Sequence, residues 1–184
     1  MGFVVPPYEL HGQGRRYAVQ DGEAGQGGAG AAAPARAGDL HAFGLAFQCL
    51  VTDEELRASL AAIRAALRPG GRFAFETRHP QARAWQDWNP SQARELTGPA
   101  GRALRVWHHV ESVTGDLVTF TGTTAEPDGR VLRVDRTTLR FLEVAALDAF
   151  LAAAGFVVEG RYGDWDRGPV TATSREIITV ARRR

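Results

Sequence analysis

The sequence predicts a single α/β domain that carries an antiparallel β insertion. Three observations predict it. An amphipathic helical stretch runs through a Pro-Gly-Gly turn into an apolar strand near residues 53–77; the pattern changes to period two between Ala103 and Leu142; and a second helix with two strand candidates closes the chain. A length of 184 residues is enough for one core and too short for two ordinary domains.

The first helix has the most local support. Thr52 and Glu55 stand three apart as a capping box, Val51 and Leu56 can form a hydrophobic staple, and Leu56, Leu60, Ile63 and Leu67 share one helical face. This spacing predicts a helix over 53–67. The stretch RPGG, Arg68 to Gly71, then stops the helix, and RFAFET reads as a strand with the near-continuous apolar run of a buried parallel sheet. Helix, glycine turn and buried strand make the second half of a βαβ unit.

From Ala103 onward, ALRVWHHVE, LVTFTGTTAE and RVLRVDRTTLRFL alternate with a period of two, and TGD and PDG separate them. The expectation is an antiparallel insertion over about 103–142. In VAALDAFLAAAG, Val144, Leu147 and Leu151 fall on one helical face and Gly155 supplies the stop, after which FVVEGRY and EIITVAR read as strands. No internal repeat is present.

Residues 1–40 hold nine of the 21 glycines, three of the nine prolines and few large apolar residues after Tyr17. Such a composition buries little and loses much backbone entropy on folding, so this stretch is expected to be irregular or disordered and the domain proper to span 41–184.

A formal net charge of +1 with 44% hydrophobic and 23% charged residues is ordinary for a globular chain. All 22 basic residues are Arg, but they are scattered and balanced by acids, which speaks against a nucleic-acid partner. No apolar run reaches the ~20 residues of a membrane span, and no signal-peptide pattern follows Met1, so neither a membrane nor export is expected. A lone Cys49 excludes an intrachain disulfide and fits a reducing cytoplasm. His108 and His109 are adjacent on a strand, so they point to opposite faces and cannot grip one ion; no metal site is expected.

The ordered set LRPGGRFAFET, LAAAGF and two terminal strands resembles the C-terminal half of class I S-adenosylmethionine-dependent methyltransferases. More narrowly, AFQCLVTDEELRASLAAIRAALRPGGRFAFETRHP together with RYGDWDRGPVTATSREIITVARR is similar to a bacterial small-molecule methyltransferase subgroup with antiparallel strands inserted after the fifth strand. The resemblance covers about Ala46 to Arg183. It implies a doubly wound, Rossmann-like sheet whose last strand runs antiparallel, with S-adenosylmethionine above the carboxyl ends of the first strands. Three βα units need roughly 30 residues each, and only about 40 precede the stretch that resembles the fourth strand. The N-terminal half is therefore expected to be incomplete.

GQGGAG places Gly25, Gly27 and Gly30 at the spacing of a nucleotide-binding loop. A working loop needs a strand in, a helix out and an acid roughly 20 residues on. Here Pro34 interrupts the following stretch, and the next acid, Asp39, stands too close. Of the family's acid and three glycines, only Glu23, Gly25 and Gly27 match, with Ala29 in the last place.

By the resemblance, Phe47 and Gln48 lie beside the cofactor; the plainer alternative is a helix-entry contact and a surface amide. Thr77, Arg78 and His79 end the predicted fifth strand, where open α/β sheets bind ligands. His79 is the candidate proton acceptor, although a loop His is more commonly a hydrogen-bonded structural residue. Arg78, Trp85, Tyr162 and Trp165 are candidates for the substrate pocket, and Trp88 lies in the same polar stretch as Trp85.

Three functions follow. The first is methyl transfer from S-adenosylmethionine to an unidentified small molecule, impaired if the first strands are missing. The second is a non-catalytic remnant or interaction module of the same fold. The third, resting only on GQGGAG and the α/β pattern, is a nicotinamide-dependent oxidoreductase.

Overall fold

A computed structural model describes residues 40–42, 44–98 and 101–184. The glycine segment, with GQGGAG, lies outside the described residues. Strand β1 (Leu40–Ala42) leads through a 3-10 turn at Gly44–Cys49 to helix α1 (Asp53–Ala66) and strand β2 (Arg72–Arg78). Three short 3-10 turns between Pro80 and Gln92 carry the chain to β3 (Arg94–Thr97), β4 (Ala103–Thr114), β5 (Leu117–Ala125) and β6 (Val131–Arg140). Helix α2 (Val144–Ala153) and strands β7 (Phe156–Tyr162) and β8 (Glu176–Arg183) follow.

The elements form two four-stranded sheets. In the first, ordered β1-β2-β8-β7, β1 runs parallel to β2 with Leu40 opposite Phe73, and β8 lies antiparallel between β2 and β7. The second, ordered β3-β4-β5-β6, is antiparallel throughout.

Helix α1 starts where the cap predicts. The Thr52 hydroxyl accepts from the Glu55 N–H at 3.1 Å, and Glu55 Oε2 accepts from the Thr52 N–H at 3.0 Å. Its apolar face buries Leu56 and Leu60 against Phe73 and Phe75 of β2 and Leu147 and Leu151 of α2, forming the first core. Gly155 ends the α2 turn at φ +81, a backbone shape that calls for glycine.

A second core lies on the inner face of the antiparallel sheet, where Val118, Phe120, Leu139 and Phe141 pack with Trp85, Trp88 and Val110. The polar stretch after β2 is thus a strap that brings two indoles onto the inserted sheet. The inserted sheet also begins earlier than period-two patterning shows, because β3 pairs with the start of β4, Arg94 opposite Val106 through Thr97 opposite Ala103. RELT is short and largely exposed, so it has no apolar alternation of its own to read.

Two side chains tie the sheets together. Gln48, 2% exposed, accepts from the Arg78 N–H at 2.9 Å and donates to the Arg140 carbonyl at 3.0 Å. Arg140 pairs with Asp53 of α1 and with Asp116 at the head of β5, both at 2.8 Å.

Candidate functional site

The candidate residues gather at the carboxyl end of β2, where the first sheet meets the strap and the inserted sheet. Strand alternation puts Phe73, Phe75 and Thr77 toward the helices and Glu76 and Arg78 on the other face. The Arg78 N–H is held by Gln48, and its guanidinium carbon lies 5.2 Å from the centre of the Trp88 ring. Behind Trp88 stand Phe120 at 4.6 Å and His108 at 5.7 Å between ring centres. Trp85 packs edge-on to Phe141 at 4.5 Å.

Glu76, two residues before Arg78, accepts from the Trp165 indole N–H at 2.8 Å. Tyr162 ends β7 and turns back over Gly160, where a Cβ would meet its hydroxyl at 2.6 Å; Arg167 lies 5.9 Å from the tyrosine ring. Across the β2–β8 ladder, Glu176 stands opposite Arg78. Burial, and then the charge of Glu76, push the Glu176 carboxyl above the usual carboxylate value, with Arg78 and Arg175 pulling the other way. Burial likewise lowers the Arg78 guanidinium from its usual value, although it stays charged. His108 is held below the ordinary imidazole value by burial first and then by Arg78 and Arg94, which leaves the ring neutral at pH 7.

The structure thus brings Arg78 onto the Trp85–Trp88 strap, and Trp165 onto β2 through Glu76. His79 is placed differently. It is 7% exposed, its N–H donates to the Arg175 carbonyl at 2.8 Å, and its Nδ1 accepts from the Gln81 N–H at 3.1 Å, capping the next 3-10 turn. Phe47 stacks on Phe75 at 4.2 Å inside the first core, and both ends of the Gln48 amide are taken. Gln48 is therefore buried and bridging, where a surface amide was one expectation. The cavity bounded by Phe47, Gln48, Thr77 and Arg140 is about 10 Å³, room for about one water.

Glu76 and Glu176 were not picked out from sequence. Glu76 has a signal, an acid inside the otherwise apolar run RFAFET. Glu176 has none, because only the antiparallel pairing of β8 brings it to the site. His108 and His109 do face opposite ways: His108 packs on Phe120 at 5.3 Å, while His109 is exposed. Among the described residues no three potential ligands cluster as a metal site would need, and no helix is long and apolar enough to cross a membrane.

No family model and no curated protein matches the sequence. Solved structures do match in fold. The CcbJ methyltransferase of Streptomyces caelestis is similar at TM-score 0.64 and 20% identity, over 79% of this chain and 57% of that one. An S-adenosylmethionine-dependent methyltransferase from Clostridium acetobutylicum is similar at TM-score 0.64 and 11% identity, over 79% and 58%. DesVI of Streptomyces venezuelae is similar at TM-score 0.53 and 22% identity, over 81% and 61%.

The fold is that of class I S-adenosylmethionine-dependent methyltransferases. In the sheet β1-β2-β8-β7, β8 is the strand that runs antiparallel to both its neighbours, as the last strand of that fold does. The aligned chain spans less than two thirds of the length of these neighbours.

Proposed function

We propose that this domain serves methyl transfer from S-adenosylmethionine to a small molecule in a bacterial cytoplasm, and that its described residues furnish the acceptor side of the site. The observation that carries this reading is the meeting of Arg78, Trp88, Glu76 and Trp165 at the carboxyl end of β2, the end at which α/β sheets of this kind hold ligands. S-adenosylmethionine, when bound, supplies an electrophilic methyl group on a sulfonium.

On this reading the described residues make one wall of the cofactor site. Phe47 and Gln48 would back that wall from within, since the ring is stacked in the core and the amide is fully used. On the acceptor side, Arg78, Trp85, Tyr162 and Trp165 orient the substrate and exclude water from it. His79 is the candidate proton acceptor. Its Nδ1 lone pair accepts from the Gln81 N–H, so taking up a proton there means giving up that bond.

A second reading, a non-catalytic module of the same fold, is favoured by that same commitment of Phe47 and Gln48 to structure. S-adenosylhomocysteine distinguishes the two. Each cofactor hydrogen bond that the described residues do not supply is worth roughly 0.5 to 3 kcal/mol, and each 1.4 kcal/mol is about tenfold in affinity. Calorimetry of the 184-residue chain is therefore expected to show no saturation below about 1 mM, an estimate from the same bond energies. At higher concentration the methyl-transfer reading expects amide NMR shifts centred on Thr77 and Arg78. Shifts scattered over the surface, or none, would leave the non-catalytic reading in place. A micromolar isotherm would show that residues outside the described ones complete the pocket.

A further inference from the structure

The inserted sheet has two edges of unlike character. Strand β3, at one edge, is four residues long and carries Arg94 and Glu95, a short charged form that discourages pairing with another strand. Strand β6, at the other edge, is ten residues long, and among the described residues no strand pairs with its outer side. Of the five exposed large apolar side chains among the described residues, Val131, Leu132 and Val134 stand on β6, and Val134 is the most exposed at 56%. Cross-strand pairing sets Val134 in one row with Thr123 and Trp107, on the face away from Phe120. An apolar row that runs out at an unpaired edge is a template for a further strand.

The charges on β6 select that strand. A second copy of the chain can extend the sheet antiparallel about a two-fold axis normal to it, which keeps both Phe120 faces on the same side. Such an axis is centred on one residue, and residues equally far from the centre face each other across the joint. Centred on Val134, it sets the two valines together and places Arg133 of each copy against Asp135 of the other. Arg133 and Asp135 are already paired within the chain at 2.5 Å, so the four charges alternate in sign around the axis. Moving the centre by one residue sets Arg133 on Arg133 or Asp135 on Asp135, and moving it on to Arg136 sets Arg136 on Arg136.

We infer that two copies of this chain associate through β6, edge to edge and antiparallel about Val134, so that their inserted sheets become one. The register of β6 with β5 passes over Leu132, with Thr124 facing Arg133 and Ala125 facing Val131, and this bulge ends the new ladder at Leu132 and Arg136. So short a ladder makes a small interface, and the dimer dissociates on dilution.

Sedimentation of the 184-residue chain over a range of concentrations tests this, with far-UV circular dichroism to check that each variant folds. The unaltered chain should pass from monomer to dimer as concentration rises, and amide exchange along β6 should slow as it does. Arg133→Asp sets acid against acid across the joint, and Asp135→Arg sets arginine against arginine. Either variant alone should raise the dissociation constant about tenfold or more, the effect of turning two opposite-charge pairs into like-charge pairs. An equimolar mixture of the two variants should dimerise again, because acids then meet arginines. The double variant Arg133→Asp, Asp135→Arg should dimerise like the unaltered protein.

A chain that stays monomeric overturns the inference: slow β6 exchange in that monomer means that the edge is covered from within the chain, and fast exchange that it stays bare. A dimer that both single variants form as well as the unaltered chain lies on another surface and overturns it too. Single variants that weaken the dimer and are not restored by mixing overturn the pairing about Val134.

Discussion

Glu176 takes up a proton more readily in the folded chain than a free glutamate does, because burial and the neighbouring Glu76 disfavour its charge. A carboxyl raised in the folded state contributes stability at low pH and loses it as pH climbs from the usual 4.5 through the folded value. Glu176→Gln should therefore raise the urea midpoint at pH 7 and leave it unchanged at pH 4. An equal gain at both values would mean that packing, not ionisation, is responsible. His79 shows the opposite balance of structure and chemistry. His79→Ala should destabilise by about 1 kcal/mol by removing a cap, while His79→Asn, whose Oδ1 can accept from Gln81, should recover most of the loss. Turnover of a complete site that survived His79→Asn would remove His79 as the proton acceptor. Arg78 could be named from sequence because it ends a recognisable strand. Its place on the Trp88 ring could not, because that depends on where an indole ten residues later comes to rest.

Helix α1 was legible nearly to the residue because what fixes its start is local: a hydroxyl, a carboxylate and three amides within five positions. Thr52→Ala should cost about 1 kcal/mol in urea denaturation, since it strips the acceptor from one of these amides. No change would place the helix start elsewhere. Leu60, fully buried between α1 and β2, should cost about 2 to 5 kcal/mol as Leu60→Ala. Strands β5 and β6 were legible by alternation and by the turns around them. β3 was not, because its four residues are held by partners in β4 and by nothing in their own pattern. The strap was hidden for a related reason: short 3-10 turns have no period of their own, and Trp85 and Trp88 show their inward role only once Phe120 and Phe141 are placed beneath them.

The described residues form two sheets with separate cores, and what holds these together passes through few residues. Gln48 joins the end of β2 to the end of β6, and Arg140 clamps the head of β5 to the start of α1. Residues at this joint also set the floor of the candidate site, since Arg78 receives its backbone bond from Gln48. Sequence comparison by resemblance pointed to Gln48 as a cofactor contact; its bridging was invisible because both partners are backbone atoms 30 and 92 residues away. Gln48→Leu keeps the volume and removes both bonds, leaving a backbone N–H and a carbonyl unpaired in a part-buried joint, each at about 1 to 3 kcal/mol. In the unaltered protein, native-state hydrogen exchange should show the central β5 and β8 amides opening with similar free energies, as a joined unit does. In Gln48→Leu the β5 amides should open at lower free energy than those of β8, because the inserted sheet can then loosen without unfolding the first core. If both sheets weaken by the same amount, Gln48 stabilises the whole fold without coupling its parts, and Arg140 with its two aspartates becomes the joint that matters.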